Sequence, residues 1–520
     1  MKTALVSLLP REERANALGL GYLKAYAESQ PDLGAVELSI VDESMEDDLD
    51  ALARRLEAAG ADAAGLHCQL CNEEAVVRLA ALLRARIPGI HLVLGGQEAS
   101  LHPERLLRRT GAEAVVVGEG EETFAGVLRA WLGRGALEDV AGLVLRRGRR
   151  TLRTAGRTPI RDLKTLPSPY LSGPLPQAWA GMGRAAIETT RGCPYACAFC
   201  SWPNGVRPRH FPLERVAAEL RAILRMDPRT LVHFADPDLF LHRERAAAVL
   251  RAIRAADPRQ EARFWFNAYF GNIDAKLAGL CDHRGFILEG GVQSVNPKAL
   301  RAAGRRFDEA AVRRGVDLLK RKAPKARLSI QLILGLPGDD LRGYRRSLEW
   351  MSALDVPEAQ VFPMQLFPGT EFHRRRRELG IRADAEPPYS VRSTRTFSAA
   401  ELRDGRRTAL RLSFFRRHPA AWDALRRGGG PLWAAASSLS DFLEARGIPM
   451  ERSLAEWERG ALQYLTPLAA GPDPVPAERV AEGARAWLAA NARGGVARRC
   501  RVRTTTALGK QTPRRTDGHY

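Results

Sequence analysis

The chain has 520 residues, 45% of them hydrophobic, and carries a formal net charge of +20. This length exceeds one ordinary hydrophobic core and predicts two or three domains. No apolar run reaches the roughly eighteen residues of a membrane span, and "MKTALVSLLPREER" becomes charged before a signal-type segment could form. These features argue against membrane insertion and secretion, and they predict a soluble cytoplasmic protein.

The basic surplus raises the question of nucleic-acid binding, because clustered cations are the electrostatic footprint of a phosphate partner. Only nine of the eighty basic residues are Lys, and Arg and Ala are abundant in every segment. This pattern indicates a compositional bias rather than a binding patch. A nucleic-acid partner is therefore not expected.

Strand-like and helix-period segments alternate through residues 1–145. In chain order they are KTALVSLL, GLGYLKAYAES, VELSIVD, DDLDALARRLEAAG, AAGLHC, EEAVVRLAALLRARIP, IHLVLGG and AEAVVVGEG. This alternation predicts βαβ units and a parallel, doubly wound, Rossmann-like α/β sheet. Gly95, Gly96, Gly118 and Gly120 follow two of the strands, at the sheet edge that forms the ligand crevice in such folds.

Residues 146–183 are rich in Arg, Pro and Gly and lack periodicity, so they are interpreted as a linker. A second alternating series then begins. Its six strand-like segments are AAIETT, TLVHFADPD, RFWFNAYF, GFILEGGVQS, RLSIQLILGLPGD and EAQVFPMQLFPGT. Six strands separated by helices predict a partial (β/α)6 barrel over residues 184–385, with its site on the loops after the strands.

Strand patterns stop beyond residue 385. Residues 386–495 are predicted to be helical, and they contain Trp422, Trp433 and Trp457, which we expect to pack in a core rather than form a recognition surface. Residues 496–520 are basic and lack apolar periodicity, so this tail is predicted to be disordered.

Three of the seven cysteines, Cys193, Cys197 and Cys200, follow the first strand of the barrel. The cytosol keeps thiols reduced, so clustered cysteines there indicate metal ligands or catalytic thiols rather than disulfides. Gly192 and Pro194 predict a loop. A CxxxCxxC loop can place three thiolates around one face of an iron–sulfur cube and leave the fourth iron open.

The alternative is a structural zinc site, which needs four ligands in a closed tetrahedron. The candidates for a fourth ligand are His210, Cys281, His283 or a distant cysteine, and none has the usual paired spacing. Zinc is therefore the weaker interpretation.

The cysteine loop, with Phe199 just before its last cysteine, resembles the signature of radical S-adenosylmethionine (SAM) enzymes, and residues 184–375 resemble that family's partial barrel. The resemblance implies that the three cysteines hold a catalytic [4Fe-4S] cluster and that Phe199 contacts the cofactors. It also implies that SAM chelates the open iron through its amine and carboxylate. An electron from the cluster would then cleave SAM and release a 5′-deoxyadenosyl radical.

Other SAM contacts are implied by later segments. "LEGGVQSVNPKAL" is similar to the family's fourth-strand segment, which implies that Glu289 and Ser294 face SAM. The family's Gly-Gly-Glu after the second strand is absent, and "HFADPDLF" stands in its place. Asp236 or Asp238 is then the candidate acceptor for the SAM amine. The alternative for each is an ordinary strand-end or capping carboxylate.

Segments of residues 1–145 resemble the cobalamin-binding domain that precedes the barrel in one large class of these enzymes. The segments are LGLGYLKAYAE, AAGLHCQLCNEEAVVRLAALLR, IHLVLGGQEASLHPERLL and AVVVGEGEETF. The resemblance implies a crevice for the nucleotide tail of cobalamin, lined by Gly95, Gly96, Gln97, Gly118, Glu119 and Gly120.

One departure concerns the cobalt. The Asp-x-His-x-x-Gly pattern, whose His ligates cobalt in many cobalamin proteins, is absent from "LLPREERANALGLG", so no lower ligand is assigned. His67 is interpreted as a pocket-wall or core residue. Cys68 and Cys71 are interpreted as packed small residues rather than a redox pair or half of a metal site.

Together the two resemblances imply a class B radical SAM enzyme that methylates an unactivated carbon of a natural product or peptide, through a 5′-deoxyadenosyl radical and methylcobalamin. The alternatives are a cobalamin-dependent radical rearrangement or cyclisation without methyl transfer, and a non-catalytic cobalamin or redox sensor. Methylthio transfer to RNA would need a second cysteine triad. The expected partners are a small-molecule or peptide substrate and an external electron donor such as flavodoxin or ferredoxin, with no membrane.

Overall fold

A computed structural model of the chain describes residues 1–11, 18–148, 150–173, 183–202, 205–356, 358–416 and 431–444. These residues form two large sheets flanked by helices, one mostly parallel and one fully parallel, and two small two-stranded sheets. Trp422, Trp457 and the tail predicted for residues 496–520 lie outside the described residues.

The first sheet has seven strands in the order β2-β1-β3-β4-β5-β6-β7. The strands are β1 (Lys2–Leu9), β2 (Glu37–Ser44), β3 (Ala63–His67), β4 (His91–Gly95), β5 (Ala114–Val116), β6 (Leu143–Arg147) and β7 (Arg150–Arg153). The first five run parallel, and the chain order reverses between β1 and β3. The prediction of a doubly wound fold is confirmed, and this reversal marks the ligand crevice of such sheets.

Helices cover both faces of the first sheet. They are α1 (Leu18–Glu28), α2 (Leu49–Ala58), α3 (Glu73–Arg86), α4 (Gln97–Leu101), α5 (Pro103–Thr110) and α6 (Glu121–Trp131). Leu5 faces the core that contains α1 and α6, whereas Ala4 and Val6 face the core of α2, α3 and α5. The continuous apolar run of β1 is therefore explained by a strand buried on both faces.

The sheet extends past residue 145, where the sequence analysis placed its end. β6 pairs antiparallel with β5 and then forms a hairpin with β7, which ends at Arg153. All four residues of β7 are exposed and three are polar, so this edge strand has no apolar alternation to reveal it. The boundary at 145 is wrong because it divides this hairpin.

Apolar residues between 160 and 170, in the segment interpreted as a linker, are also packed. Ile160, Leu163, Leu166 and Tyr170 are buried in the core, and the Tyr170 hydroxyl donates to the backbone carbonyl of Ala186 on the first barrel strand. Most of these apolar residues are isolated among Arg, Pro and Gly. Their burial depends on neighbours that are distant in sequence, which a search for local periodicity does not detect.

The second sheet has six parallel strands in strictly sequential order and remains open. The strands are β8 (Arg184–Ile187), β11 (Leu231–Phe234), β12 (Arg263–Ala268), β13 (Phe286–Gln293), β14 (Arg327–Leu334) and β15 (Glu358–Pro363). The intervening helices are α7 (Leu213–Met226), α8 (Arg243–Ala256), α9 (Ala275–Leu280), α10 (Pro297–Ala302), α11 (Glu309–Lys322) and α12 (Leu341–Ala353). This arrangement confirms the predicted partial (β/α)6 barrel.

Beyond the barrel, α13 (Glu371–Arg374) leads into a hairpin of β16 (Arg382–Ala383) and β17 (Val391–Ser393). β17 lies inside the region predicted to be helical. It is only three residues long and gives no strand pattern. The helices α14 (Ala399–Arg416) and α15 (Leu432–Glu444) follow. Trp433 on α15 packs under the Arg345 guanidinium, 4.2 Å from the ring centroid, as expected for a packing residue.

One hydrophobic core is shared by both sheets. It contains Leu5, Tyr22 and Phe124 from the first sheet and its helices, and Ile187 and Phe211 from the barrel. The C-terminal edge of the first sheet is thereby held against the start of the barrel. Within the described residues, no helix combines the length and apolar character needed to cross a bilayer.

Candidate functional site

The three cysteines lie on the loop that follows β8. A short ladder between β9 (Thr190–Arg191) and β10 (Arg209–His210) begins this loop. Gly192 then turns the chain with φ +89°, where a Cβ would lie 3.0 Å from the Arg207 carbonyl oxygen. Only Gly adopts this backbone conformation without strain, so its place before the first cysteine shapes the loop.

Backbone hydrogen bonds fix the loop on both sides. The Val206 N–H donates to the Cys193 carbonyl at 2.9 Å, and the Ala198 N–H donates to the Ala303 carbonyl at 2.9 Å. Phe199 is partly buried and packs with an apolar group next to the loop. That group is Ala198, Ala299, Ala303, Leu336, Met364, Leu366, Phe372 and Ile381. These contacts hold the loop in place, and the cofactor contact of Phe199 stays a prediction.

The surroundings of the cysteine side chains suit the ligands of a metal cluster better than they suit free, reactive thiols. Burial raises the pKa of the Cys193 thiol, and it raises the pKa of Cys200 to about 11. Arg305 donates from Nη1 to the Cys197 Sγ at 3.4 Å. Buried thiols of this kind ionise at neutral pH when a metal takes their charge. Three cysteine ligands, with an arginine that donates a hydrogen bond to one of their sulfurs, therefore fit an iron–sulfur cluster.

The candidates for a fourth zinc ligand are engaged elsewhere. His210 Nδ1 lies 3.0 Å from the Thr190 hydroxyl, His283 Nδ1 accepts from the Gly285 N–H at 3.1 Å, and Cys281 is fully buried in the core. Among the residues that the structure describes, no group of three or more His, Cys, Asp or Glu side chains surrounds a single-ion position. A cube places fewer demands on the loop, because each thiolate binds a different iron.

A cavity of about 610 Å³ separates the edge of the first sheet from the cysteine loop. This volume lies in the range of small-molecule and cofactor sites. Apolar residues of the first sheet and its helices form one part of the lining, namely Leu5, Leu20, Leu23, Val93, Val116 and Phe124. The barrel contributes Glu188, Thr190, Arg191, Gly192, Ser201, Trp202 and Arg209. The cavity therefore lies between the two domains.

All six residues predicted for the cobalamin crevice line this cavity. They are Gly95, Gly96, Gln97, Gly118, Glu119 and Gly120. A Cβ on Gly96, where φ is +106°, would lie 2.5 Å from the Cys68 carbonyl oxygen, whereas a Cβ on Gly118, where φ is +85°, would meet no atom within 4 Å. The glycines therefore let the chain approach itself at Gly96 and leave open space at Gly118.

Two of these six residues also bond to the barrel. Gln97 Nε2 donates to the hydroxyl of Ser201, the residue that follows Cys200, at 2.6 Å. Glu119 accepts from the Arg209 guanidinium and from the Ile160 N–H at 2.9 Å. Burial raises the pKa of Glu119, but the hydrogen bonds from Arg209 and Ile160 and the charges of Arg191 and Arg209 together outweigh burial, so the pKa is lowered. The side chains of Gln97 and Glu119 thus join the two domains.

Arg191 lines the cavity, and the sequence analysis did not single it out. Its side chain is only 10% exposed, and it donates to Glu121 at 2.7 Å and to Glu188 at 2.8 Å. Burial lowers its pKa, but Glu188 and Glu121 outweigh that effect and raise it. The feature of the sequence that could have pointed to Arg191 is its position directly before Gly192 and Cys193. In an Arg-rich chain a single Arg does not attract attention.

Asp236 and Asp238 are both occupied by protein donors. The Asp236 carboxylate accepts from the Thr189 N–H and hydroxyl, each at 3.0 Å, and from the Thr190 N–H. Asp238 accepts from the Phe240 N–H at 3.0 Å and from the Tyr195 hydroxyl at 3.2 Å. The structure thus uses Asp236 to anchor the chain before the cysteine loop. Both carboxylates are buried and engaged by protein donors, and the SAM-amine role stays a prediction.

Glu289 lies on β13 and is held by two glutamine amides. Its carboxylate accepts from Gln331 on β14 at 2.7 Å and from Gln360 on β15 at 2.8 Å. Side chains on β13 point alternately to the two faces of the sheet. Leu288 and Val292, at even-numbered positions, belong to the core beneath the helices, so the odd-numbered residues point to the other face. Glu289 therefore points to the concave side of the sheet, as a residue that faces SAM would.

Ser294 lies one residue beyond the end of β13. Its hydroxyl donates to Asp339 at 3.0 Å and accepts from the Asn296 N–H at 3.0 Å, and it is 1% exposed. Asn296 also donates to Asp339 at 2.7 Å. This buried network joins the ends of β13 and β14, so the structure shows Ser294 in a bracing position.

His67 and Cys68 end β3 beside the cavity. His67 lines the cavity, and burial lowers its pKa to about 4, so the imidazole is neutral. Its Nε2 lies 2.8 Å from the Gln69 amide nitrogen. Cys68 is fully buried in the core, and burial raises its thiol pKa. These placements agree with a pocket-wall histidine and a packed cysteine.

Comparison with known proteins defines the class. Residues 187–351 match the radical SAM superfamily model, and residues 8–128 match the B12 binding domain model. The chain is a radical SAM protein that carries a B12 binding domain ahead of its barrel. The radical SAM domain is the one that binds a [4Fe-4S] cluster and SAM, and the B12 binding domain is the one that binds cobalamin.

Two curated relatives are similar over parts of their length. The chain is 31% identical over 223 residues to 2-(S-pantetheinyl)-carbapenam-3-carboxylate methyltransferase of Streptantibioticus cattleyicolor, which covers 41% of this chain and 32% of that protein. It is 30% identical over 180 residues to the cobalamin-dependent radical SAM methyltransferase TokK of Streptomyces tokunonensis, covering 33% of this chain and 26% of that one. The matches thus span about a third or less of each relative.

A solved structure shares the fold over nearly the whole chain. The cobalamin-dependent S-adenosylmethionine radical enzyme OxsB, solved with aqua-cobalamin and S-adenosylmethionine bound, superposes with a TM-score of 0.66. The match covers 94% of this chain and 83% of that one at 14% identity. At this identity the likeness concerns the fold alone.

Proposed function

We propose that this protein is a cobalamin-dependent radical SAM methyltransferase that methylates an unactivated carbon of a natural product or peptide. One observation carries the proposal. The cavity between the domains is lined both by the glycine-rich edge of the B12 binding domain and by Gly192 and Ser201, which flank the cysteine triad. Cofactors held by the two domains would therefore meet in one enclosed space, which is the requirement for transfer between them.

The residues present fit each cofactor. Cys193, Cys197 and Cys200 would hold three irons of the cluster, with Arg305 donating to one of the sulfurs. The open backbone at Gly118 and the apolar lining beneath it would admit the planar base of a nucleotide tail. Glu289, presented on the concave face, is our candidate contact to SAM. When bound, these groups supply radical formation and carriage of a methyl group.

The protein's own contribution is positioning and exclusion of water. Leucine, valine and phenylalanine side chains line the part of the cavity nearest the first sheet. The hydrogen bonds of Gln97 and Glu119 to Ser201 and Arg209 hold the barrel against the other part of the lining. An enclosed site protects a reactive intermediate from solvent. Support for methyl transfer comes from the two curated relatives, both of which are methyltransferases.

The partners follow from this chemistry. We propose a small-molecule or peptide substrate and an external electron donor of the flavodoxin or ferredoxin type, because the cluster must be reduced before it can cleave SAM. Such donors are acidic, and the chain has a formal charge of +20, which would favour their association. A cytoplasmic location is part of the same proposal.

The test is anaerobic reconstitution with iron, sulfide and cobalamin, followed by reduction and addition of SAM. Methyl transfer predicts both S-adenosylhomocysteine and 5′-deoxyadenosine among the products. The second candidate, rearrangement or cyclisation without methyl transfer, predicts 5′-deoxyadenosine alone. A sensor would retain the cofactors and leave SAM intact. Protein that binds neither iron nor cobalt would refute all three.

A further inference from the structure

We propose that Arg191 is a positioning residue that fixes the cysteine loop against the B12 binding domain, and thereby sets the cobalt-to-SAM geometry on which methyl transfer depends. The inference rests on the proposed function. The inference goes beyond the proposed function because it names the contact that controls methyl transfer across the domain boundary.

The ion pairs of Arg191 span both domains. Its Nη2 donates to Glu121, at the start of α6 in the B12 binding domain, at 2.7 Å. Its Nε donates to Glu188, at the end of β8 in the barrel, at 2.8 Å. Its Nη1 lies 3.8 Å from Glu119. One planar guanidinium therefore contacts carboxylates on both sides of the cavity, and its fork geometry constrains their separation.

An aromatic column holds Arg191 from its other side. The guanidinium carbon of Arg191 lies 4.8 Å from the ring centroid of Tyr22, which belongs to α1 of the B12 binding domain. Tyr22 stacks on Phe211 of the barrel with centroids 5.7 Å apart, and Arg215 lies 4.5 Å from the Phe211 centroid. Tyr22 belongs to the B12 binding domain and the other three members belong to the barrel, so the column joins the two domains. Its contacts are stabilised by dispersion and by cation–π attraction.

The position of Arg191 along the chain links these contacts to the cluster. Arg191 is two residues before Cys193, and its neighbour Thr190 is held by Asp236. Arg191 and Gly192 both line the cavity. A displacement of Arg191 would therefore shift the first cluster ligand relative to the glycine edge of the opposite domain.

The charge balance shows why the contact is sensitive. Glu121 has a side chain 4% exposed, and Glu188 is also largely buried. Burial raises the pKa of Glu188, which Arg191 opposes. Without Arg191 both carboxylates would lose their common cationic partner, and the contact that holds the loop before Cys193 against α6 would be lost.

The experiment compares Arg191→Met, Arg191→Lys and the matched control Arg215→Met in cofactor-loaded protein reduced with titanium citrate, without substrate. Arg215 stacks in the same column, but it pairs with Glu219 and does not line the cavity. Two products are counted. 5′-Deoxyadenosine reports electron transfer from the cluster to SAM, with cleavage of the bond from sulfur to the 5′ carbon, inside the barrel. S-Adenosylhomocysteine reports methyl transfer across the boundary: the sulfur keeps the electron pair of its methyl bond, and reduced cobalt supplies the new pair.

We expect Arg191→Met to retain iron and cobalt and to form 5′-deoxyadenosine within about twofold of the wild type. S-Adenosylhomocysteine should fall by about tenfold or more, because a displacement of an ångström has effects of this size. Arg191→Lys should lose less, since it keeps the charge without the fork. If Arg191→Met does not fold, the double variant Arg191→Met/Glu121→Gln, which removes one buried carboxylate as well, carries the same expectation.

Two outcomes would overturn the inference and leave the proposed function intact. In the first, both products fall together in the Arg191 variants at unchanged cofactor content, which indicates a structural role alone. In the second, Arg215→Met changes the product ratio as much as Arg191→Met. Absence of S-adenosylhomocysteine from the wild type would instead refute the proposed methyl transfer and the inference with it.

Discussion

Arg305 is a cationic side chain that contacts a cysteine of the triad. It donates to Cys197 Sγ at 3.4 Å, and its other terminal nitrogen donates to the Gly291 carbonyl on β13. A hydrogen bond and a positive charge at a cluster sulfur stabilise the reduced, more negative cluster. Replacement of Arg305 should therefore make the cluster harder to reduce.

We predict that Arg305→Leu lowers the midpoint potential of the cluster, whereas Arg306→Leu, at the exposed neighbouring position, does not. A redox titration that follows the EPR signal of the reduced cluster measures the shift. An unchanged or raised potential in Arg305→Leu would show that the contact with Cys197 is not maintained in the loaded protein.

Asp236 is the second residue whose chemistry follows from its surroundings. Burial, with a contribution from Glu188, raises its pKa from 3.8 to about 7. Between about pH 4 and 7 the folded protein keeps this proton while the unfolded chain releases it, so the free energy of unfolding falls as pH rises through this window. Above about pH 7 both states are ionised and this contribution no longer changes.

We predict that Asp236→Asn flattens this decline relative to the wild type. Thr189→Val is the control, because it removes the hydroxyl that donates to Asp236 but keeps the titrating group. Because that hydroxyl holds the pKa of Asp236 down, its removal should raise this pKa further, so the decline should persist and extend to higher pH. Urea unfolding of the cofactor-free variants across this pH range measures both effects. Parallel curves for Asp236→Asn and the wild type would refute the assignment.

At the scale of elements, the C-terminal edge of the first sheet combines strand ends, glycines and helix starts. β4 and β5 end at neighbouring positions of this edge, where Gly96 and Gly118 turn the chain with positive φ. The first sits against the Cys68 carbonyl, whereas the second faces open space. The two glycines should therefore respond differently to an added methyl group.

We predict that Gly118→Ala weakens cobalamin binding about tenfold or more, because its methyl group would enter the cavity. Its backbone strain should cost about 1 kcal/mol. Gly89→Ala is the matched control: φ is also +85° and no atom lies within 4 Å, but the residue does not line the cavity. Gly89→Ala should show the same loss of stability from backbone strain but bind cobalamin with the affinity of the wild type. Equal affinities in both variants, measured by equilibrium binding of hydroxocobalamin, would contradict the placement of the cofactor.

At the scale of the whole molecule, a third contact joins the domains on the far side of the cavity. The Tyr389 hydroxyl, from the segment after the barrel, donates to Glu98 on α4 and accepts from Arg105 on α5 at 3.1 Å. Tyr389 is 1% exposed, and its ring packs on His102 at 5.5 Å. The region beyond the barrel thus closes over the first domain.

We predict that Tyr389→Phe destabilises this interface by about 1–3 kcal/mol, because Glu98 loses a buried hydrogen bond. Differential scanning calorimetry should then show the two domains unfolding at more widely separated temperatures than in the wild type. Tyr26→Phe, on the partly exposed face of α1, is the control and should leave the profile unchanged. An unaltered profile for Tyr389→Phe would mean that the hydroxyl contributes nothing to docking.

The sequence alone determined the fold class, the order of the two domains and the identity of the cysteine triad. Strand and helix periods are local properties, so "KTALVSLL" and "RLSIQLIL" could be recognised from their own residues. The six crevice residues were also predictable, because the ends of parallel strands meet at one edge of a sheet.

Only the tertiary structure decided which carboxylates are free and which residues join the domains. Asp236 and Ser294 have the right type and place in the sequence, but Asp236 accepts from the Thr189 N–H and Ser294 donates to Asp339. Arg191 was one of many arginines until folding brought it between Glu121 and Glu188. Hydrogen-bond partners and burial depend on residues that are distant along the chain, and these long-range pairings have no local pattern from which they could be predicted.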